Sequence, residues 1–280
     1  MISGLLVIDK PSGPTSHDVV SRIRRALHEK RVGHTGTLDP LATGVLPLVL
    51  GRATRLARFL SGSDKTYEAV ITLGVATETG DAEGAPIAGA IVGTMPERAA
   101  IDRALDAFRG TFLQQPPAHS AKKIGGTRSY ELARRALQEP VLPNPVAVCA
   151  RRIELLRVDA ALVAIRLECS AGFYVRALAR DLGERLGVGA HLAALRRTWA
   201  AGYGLDAAVT LADAEGDPAR TVAAVVGMGS MLPQYPAVTL SSDDVRRALN
   251  GRDIRGPRSP LVRLLDPVGE LVGIAEPAGT

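Results

Sequence analysis

The chain has 280 residues, 46% hydrophobic and 22% charged, enough to bury a sizeable core in one large domain or in one domain with an appendage. The apolar runs are too short to span a bilayer, the opening MISGLLVIDKPSG lacks the features of a signal peptide, and two cysteines, Cys149 and Cys169, support neither a disulfide framework nor a paired-cysteine zinc site, so a cytoplasmic location is expected. The net charge of +5 is modest but clumped, in RIRRALHEKR (22–31) and at Lys122–Lys123, Arg134–Arg135, Arg151–Arg152 and Arg196–Arg197, a pattern that fits either a polyanion partner or solvated helix faces.

In chain order, LLVIDK reads as a short buried strand, and PSGPTSHDVVSRIRRALHEK as a turn and a helix. Thr15 and Asp18 have capping-box spacing, and Val19, Val20, Ile23 and Leu27 recur at helical intervals. A glycine-rich loop follows, and then KTYEAVITLG alternates as a strand with Tyr67, Ala69, Ile71 and Leu73 on one face. TETGDAEG is a polar, turn-rich connection, and PERAAIDRALDAFRG an amphipathic helix closed by Gly110. Residues 114–145, with a Pro-Pro start, a basic Gly-Gly centre and a proline-rich exit, read as an insertion with partial structure of its own. LVAIRLEC is a strand, leading into a helix over SAGFYVRALARDLGERLG that ends near Gly183 or Gly187. Near Pro233–Pro236 the character changes: LSSDDVRRALNGRDI predicts a capped helix and LVRLLDPVGELVGIAE two strands, giving a main domain over 1–235 and a small one over 236–280. Interspersed strands and helices without a regular βαβ beat predict a mixed α/β (α+β) fold around a mixed sheet.

GHTGTLDPLATGVLPL (33–48) carries one carboxylate, Asp39, in a loop too broken for a helix. It lacks the lysine and hydroxyl of a phosphate loop, Pro40 blocks the helix that a dinucleotide fingerprint opens, and His34 with Asp39 is too small a set for zinc. A glycosidase would need a second acid. What remains is a lone acid that Pro40 turns out of the helical region, with glycines that admit close approach of another molecule. On local chemistry alone an exposed turn aspartate stays open as the plainer alternative.

GHTGTLDPLATGVLPLVLGRATR resembles the catalytic motif of the bacterial tRNA pseudouridine synthase B (TruB) family. So, in the family's order over roughly the first 200 residues, do LLVIDKPSGPTSHDVV, DKTYEAVITLG, QQPPAHSAKKIGGTRSYELAR and CSAGFYVRALARDLGE. The resemblance implies a pseudouridine-synthase fold, with a largely antiparallel central sheet flanked by helices and a cleft across its middle. It implies isomerisation of uridine 55 in the T loop of tRNA to pseudouridine, with no cofactor and no metal. The base must be flipped out of its stack to be reached.

By matching position, Asp39 is the catalytic carboxylate and Arg176 the cation that a charged acid in a buried crevice requires. Tyr67 matches the tyrosine that stacks on the uracil and helps remove the C5 proton, and Tyr174 a second site tyrosine. His34 matches the histidine that fills the space left in the RNA. Lys10 and Arg55 match basic positions that hold phosphate or support the motif, Arg55 standing where some relatives have lysine. The 114–145 insertion resembles the family's thumb, with Lys122, Lys123 and Arg128 for backbone phosphates, and 236–280 a shortened PUA-type RNA-binding domain. The expected partner is the T arm of tRNA, met by a monomer without an obligate protein partner or membrane. Two rivals stand beside the enzyme: an RNA-folding helper in which catalysis is secondary, and a catalytic subunit that needs a guide RNA.

Overall fold

The computed structural model describes residues 2–87, 94–118, 142–254 and 260–276, together with the backbone of 123–124 and 127–128. Strand β1 (Gly4–Lys10) leads into α1 (Ser16–Ala26), whose Thr15 cap and Asp18 close the expected capping box. Strands β2 (Val32–His34) and β3 (Thr43–Leu50) flank the glycine-rich loop. A 3-10 turn over Gly51–Leu56 and α2 (Ala57–Ser61) carry the chain to β4 (Lys65–Leu73). Next come α3 (Arg98–Asp106), β5 (Gly110–Gln114), a ribbon of β6 (Lys123–Ile124) and β7 (Thr127–Arg128), and the long hairpin of β8 (Val146–Asp159) and β9 (Leu162–Cys169). Helix α4 (Val175–Leu186) ends at Gly187 in the left-handed region, as the sequence indicates, and β10 (Ala190–Ala200) follows. Gly110 does not close α3, which stops at Asp106; it opens β5, a strand not expected from the sequence, whose last residue Gln114 is the first of the expected insertion.

The described strands form a sheet in the order β12-β1-β3-β10-β4-β9-β8-β5, where β11 (Tyr203–Gly204), β12 (Val209–Thr210) and β13 (Val226–Gly227) are short additions. Pairing is largely antiparallel; β1 with β12 and β3 with β10 are parallel. Side chains alternate across it. Leu6 and Ile8 of β1, Leu46, Leu48 and Leu50 of β3, and Ile71 of β4 face the apolar stripes of α1 and α4. Leu5, Val7, Val45 and Val49 point the other way, onto Leu56, Leu60, Met231 and Leu232.

A smaller sheet of β14 (Ala237–Thr239), β15 (Val262–Leu265) and β16 (Leu271–Ala275) has its own core of Leu240, Val262 and Leu264. It leans on the main body: Arg263 donates to the carbonyls of Tyr235 and Gly229, both at 2.9 Å, and Ile274 packs among the second cluster. Among the described residues no helix is long and apolar enough to cross a membrane.

Strand β10 joins the halves of the sheet and meets β3 at Gly44. Gly44 has φ +98, and a Cβ there would lie 2.2 Å from the Arg197 carbonyl oxygen. Gly44→Ala is expected to cost about 3 kcal/mol through left-handed strain and overpacking together, read as a lower urea midpoint with unchanged slope.

Candidate active site

The loop of 35–42 runs back along β3 and delivers Asp39 to the entrance of that strand. Three buried cations converge on it. Lys10, at the end of β1, is fully buried, and its ammonium donates to the carbonyls of Pro11 at 2.9 Å, Pro40 at 3.2 Å and Ala42 at 2.7 Å. It therefore grips the backbone just after Asp39. Arg197, from β10, grips the backbone before it: Nη2 reaches the Gly36 carbonyl at 3.1 Å and Nη1 that of Thr37 at 3.5 Å, while Nε donates to Val45 at 2.7 Å. Ser16 adds a third tether, accepting from the Leu38 N–H at 2.8 Å and donating to the Leu38 carbonyl at 3.0 Å.

Arg176 is the third cation. Its Nε lies 2.9 Å from Asp39 Oδ2, and its Nη1 lies 3.5 Å from Asp81 Oδ2 and donates to the Thr79 carbonyl at 3.0 Å. Asp81 is itself held by the Thr79 hydroxyl at 2.5 Å and the Glu83 N–H at 3.1 Å. The expectation of a buried acid needs correction here. The Asp39 side chain is 38% exposed, whereas those of Arg176 and Asp81 are 8% and 5% exposed. Burial falls on the guanidinium, which two carboxylates and a carbonyl compensate, and Asp39 keeps an exposed side.

Tyr67, on β4, is 6% exposed and sits opposite Arg197 in the strand ladder. Burial pushes its phenol above the usual value, while the Arg197 guanidinium against the hydroxyl pulls the other way. Cys169 is buried nearby, and burial pushes its thiol up to about 12, which keeps it protonated. Tyr174 stands at the N-terminal end of α4, two residues before Arg176; its N–H donates to Gln114 Oε1 at 2.8 Å and its carbonyl accepts from Gln114 Nε2 at 3.0 Å.

Asp39, Arg176, Lys10 and Tyr67 are thus brought together, and Tyr174 stands two residues before Arg176 at the start of α4. Of the two roles expected for Lys10, the structure gives it loop support, because a fully buried ammonium bound to three carbonyls has no face for phosphate. His34 is half-buried on β2 opposite Leu48, where the loop begins. Arg55 is not beside the aspartate: it stands exposed in the 3-10 turn beyond the other end of β3. Lys122 lies outside the described residues, and Lys123 and Arg128 are placed by their backbone alone, paired across the β6–β7 ribbon. Sequence reasoning missed Asp81 and Thr79 inside a segment with the composition of an ordinary turn. It also counted Arg197 among surface basic spots, although Arg197 is 1% exposed.

The fold is shared with solved structures. A Cbf5-Nop10-Gar1 complex matches with a TM-score of 0.73 and 28% identity over 98% of this chain and 78% of that one. An H/ACA RNP bound to a substrate RNA containing 2'-deoxyuridine matches with a TM-score of 0.73 and 26% identity, covering 98% and 77%. This is the fold of the pseudouridine synthases. Residues 24–175 match the N-terminal domain of the TruB family pseudouridylate synthases, and 176–219 match the tRNA pseudouridylate synthase B C-terminal domain. A curated relative from Solibacter usitatus, named tRNA pseudouridine synthase B, is 44% identical over 98% of this chain and 96% of its own length. One of the same name from Pseudomonas aeruginosa is 41% identical over 98% and 92%. The chain belongs to the TruB family.

The buried lysine makes the site pH-sensitive. Burial lowers Lys10 from 10.5 to about 8, against the opposing pull of Asp39 and Glu83. Between those values the unfolded chain holds more protons than the folded one, so the lysine's contribution to stability rises with pH across the window. Wild type should gain stability relative to Lys10→Met as pH climbs from about 8 to 10.5, in urea unfolding of both proteins; a constant difference would contradict the burial.

Proposed function

We propose that this chain is a tRNA pseudouridine synthase that isomerises uridine 55 of the T loop, with Asp39 as the reacting carboxylate. The observation that carries the reading is the 2.9 Å ion pair of a part-exposed Asp39 with a buried Arg176. A carboxylate that keeps a cation partner and an open side is suited to meet an incoming sugar. The reaction breaks the bond from uracil N1 to ribose C1′ and forms one from C5 to C1′; the C5 proton leaves and N1 ends protonated, so atoms and electrons balance without redox change.

In this reading Asp39 acts at the sugar, either by attack at C1′ or by assisting departure of the base. Arg176 holds its charge and direction, and Asp81 fixes Arg176 from behind. Tyr67 offers a ring face to the uracil and is placed for removal of the C5 proton. Tyr174 borders the same space, and His34 takes the place of the everted base. The T arm is bound by shape and by splayed bases. Phosphates are met by Lys122, Lys123 and Arg128 of the thumb-like 114–145 insertion and by exposed Arg55 on the main body. The 236–280 unit serves as a compact PUA-like RNA contact. The chain works as a cytoplasmic monomer, without cofactor or protein partner.

Asp39→Asn should abolish turnover of unmodified tRNA while its affinity stays within about threefold, because charge and not volume is lost. Tyr67→Phe should lose activity yet keep binding. Tritium release from C5-labelled uridine measures the first quantity and filter binding the second; wild-type release by Asp39→Asn would remove the aspartate from the chemistry. Turnover of an isolated T-arm hairpin by the purified chain separates this reading from a guide-dependent subunit, and binding without release would favour an RNA-folding helper.

Removing charge at Lys122 and Lys123 should flatten the dependence of tRNA affinity on salt by about two counterion equivalents. An unchanged slope would place the phosphate contacts elsewhere.

A further inference from the structure

Arg197 has no part in the chemistry outlined above, yet it is among the largest fully buried side chains of the molecule. Among the described residues it makes no ion pair. Its charge is solvated by the carbonyls of Gly36, Thr37 and Val45, and its residue pairs with Tyr67 across the β10–β4 ladder. Burying a cation is costly unless its donors are all used, and a well-packed apolar side chain generally serves stability as well or better. Simple core filling therefore does not account for an arginine here. Its contacts do suggest a role, because they link two otherwise separate pieces. This guanidinium holds the loop that ends in Asp39 to the residue of β10 that stands opposite Tyr67 of β4 in the strand ladder.

We propose that Arg197 is a positioning residue for the isomerisation. By binding the Gly36 and Thr37 carbonyls from the rung of β10 that pairs with Tyr67, it sets the spacing between the Asp39 carboxylate and the tyrosine ring, and so acts on the rate of reaction and not on RNA affinity. The planar fork matters as much as the charge. Arg196, its sequence neighbour, faces the other side of the sheet, where it pairs with Asp9 at 2.7 Å and takes no part. The proposal rests on the functional reading above, and its test separates the two.

The test uses the full chain with enzyme in excess over an unmodified T-arm hairpin, at saturation, so that the single-turnover rate is insensitive to any misfolded fraction. Arg197→Met should lower that rate about 100-fold, the scale of an ångström's misplacement, with hairpin Kd within about threefold of wild type. Arg197→Lys keeps the charge but not the fork, and should recover less than about tenfold of the loss. A purely structural role predicts a lower Tm with the saturated rate intact. That result, or a loss confined to Kd, overturns the proposal. Should the methionine variant fail to fold, the lysine variant decides alone: a wild-type rate overturns the proposal, and a slowed rate with intact Kd supports it. Wild-type enzyme that binds the hairpin without converting it overturns the functional reading instead, and this inference with it.

Discussion

A positive charge taken out of water must be met by oxygen, and at this site that requirement organises the backbone. Lys10 and Arg197 have no carboxylate in ion-pair range among the described residues, so the oxygens they find are main-chain carbonyls of the glycine-rich loop, on either side of Asp39. A segment too rich in glycine and proline to form a regular element is thereby given a fixed course. Each neutral carbonyl bond contributes only about 1–3 kcal/mol when its partner is charged, but leaving one unmade beneath the sheet would cost as much again. Loop order and cation burial stand or fall together.

Arg176 is solved differently. It faces two acids, of which Asp81 is the buried one and Asp39 the accessible one. The inner pair anchors the guanidinium, and the outer carboxylate meets an arginine that is already oriented. Asp81 in turn depends on the 77–84 turn, which is stitched to β10 by the Leu192 N–H bonding to Gly80 at 3.0 Å and the Ala82 N–H to Leu192 at 3.0 Å. Helix, turn and central strand thus share responsibility for one carboxylate's surroundings.

Much of this was legible in the sequence. The capping box at Thr15, the alternation that buries Tyr67, and the left-handed stop at Gly187 are local signals, and each appears where local chemistry puts it. Asp39 and Arg176 were legible only through resemblance, since nothing in the spacing of two residues on distant elements announces a contact. Strand β10 escaped notice because bulges between Leu192 and Ala194 and between Arg197 and Trp199 break the period of two that marks a strand. With its period hidden, Arg196–Arg197 looked like a surface pair, whereas a strand sends adjacent side chains to opposite faces. Asp81 was hidden for another reason: a turn aspartate that braces a buried arginine has the same local sequence as one that faces solvent.

Gln114 shows how narrow a requirement the fold can place on a single position. One terminal group must offer a hydrogen and a lone pair simultaneously to the two peptide atoms of Tyr174, in a spot sealed from water. Glutamate has the right shape and the wrong complement of hydrogens, and asparagine is one methylene too short. Among homologues this column should therefore read as nearly invariant, although the side chain is wholly enclosed, and its constancy would mark architecture where a reader of alignments would suspect chemistry.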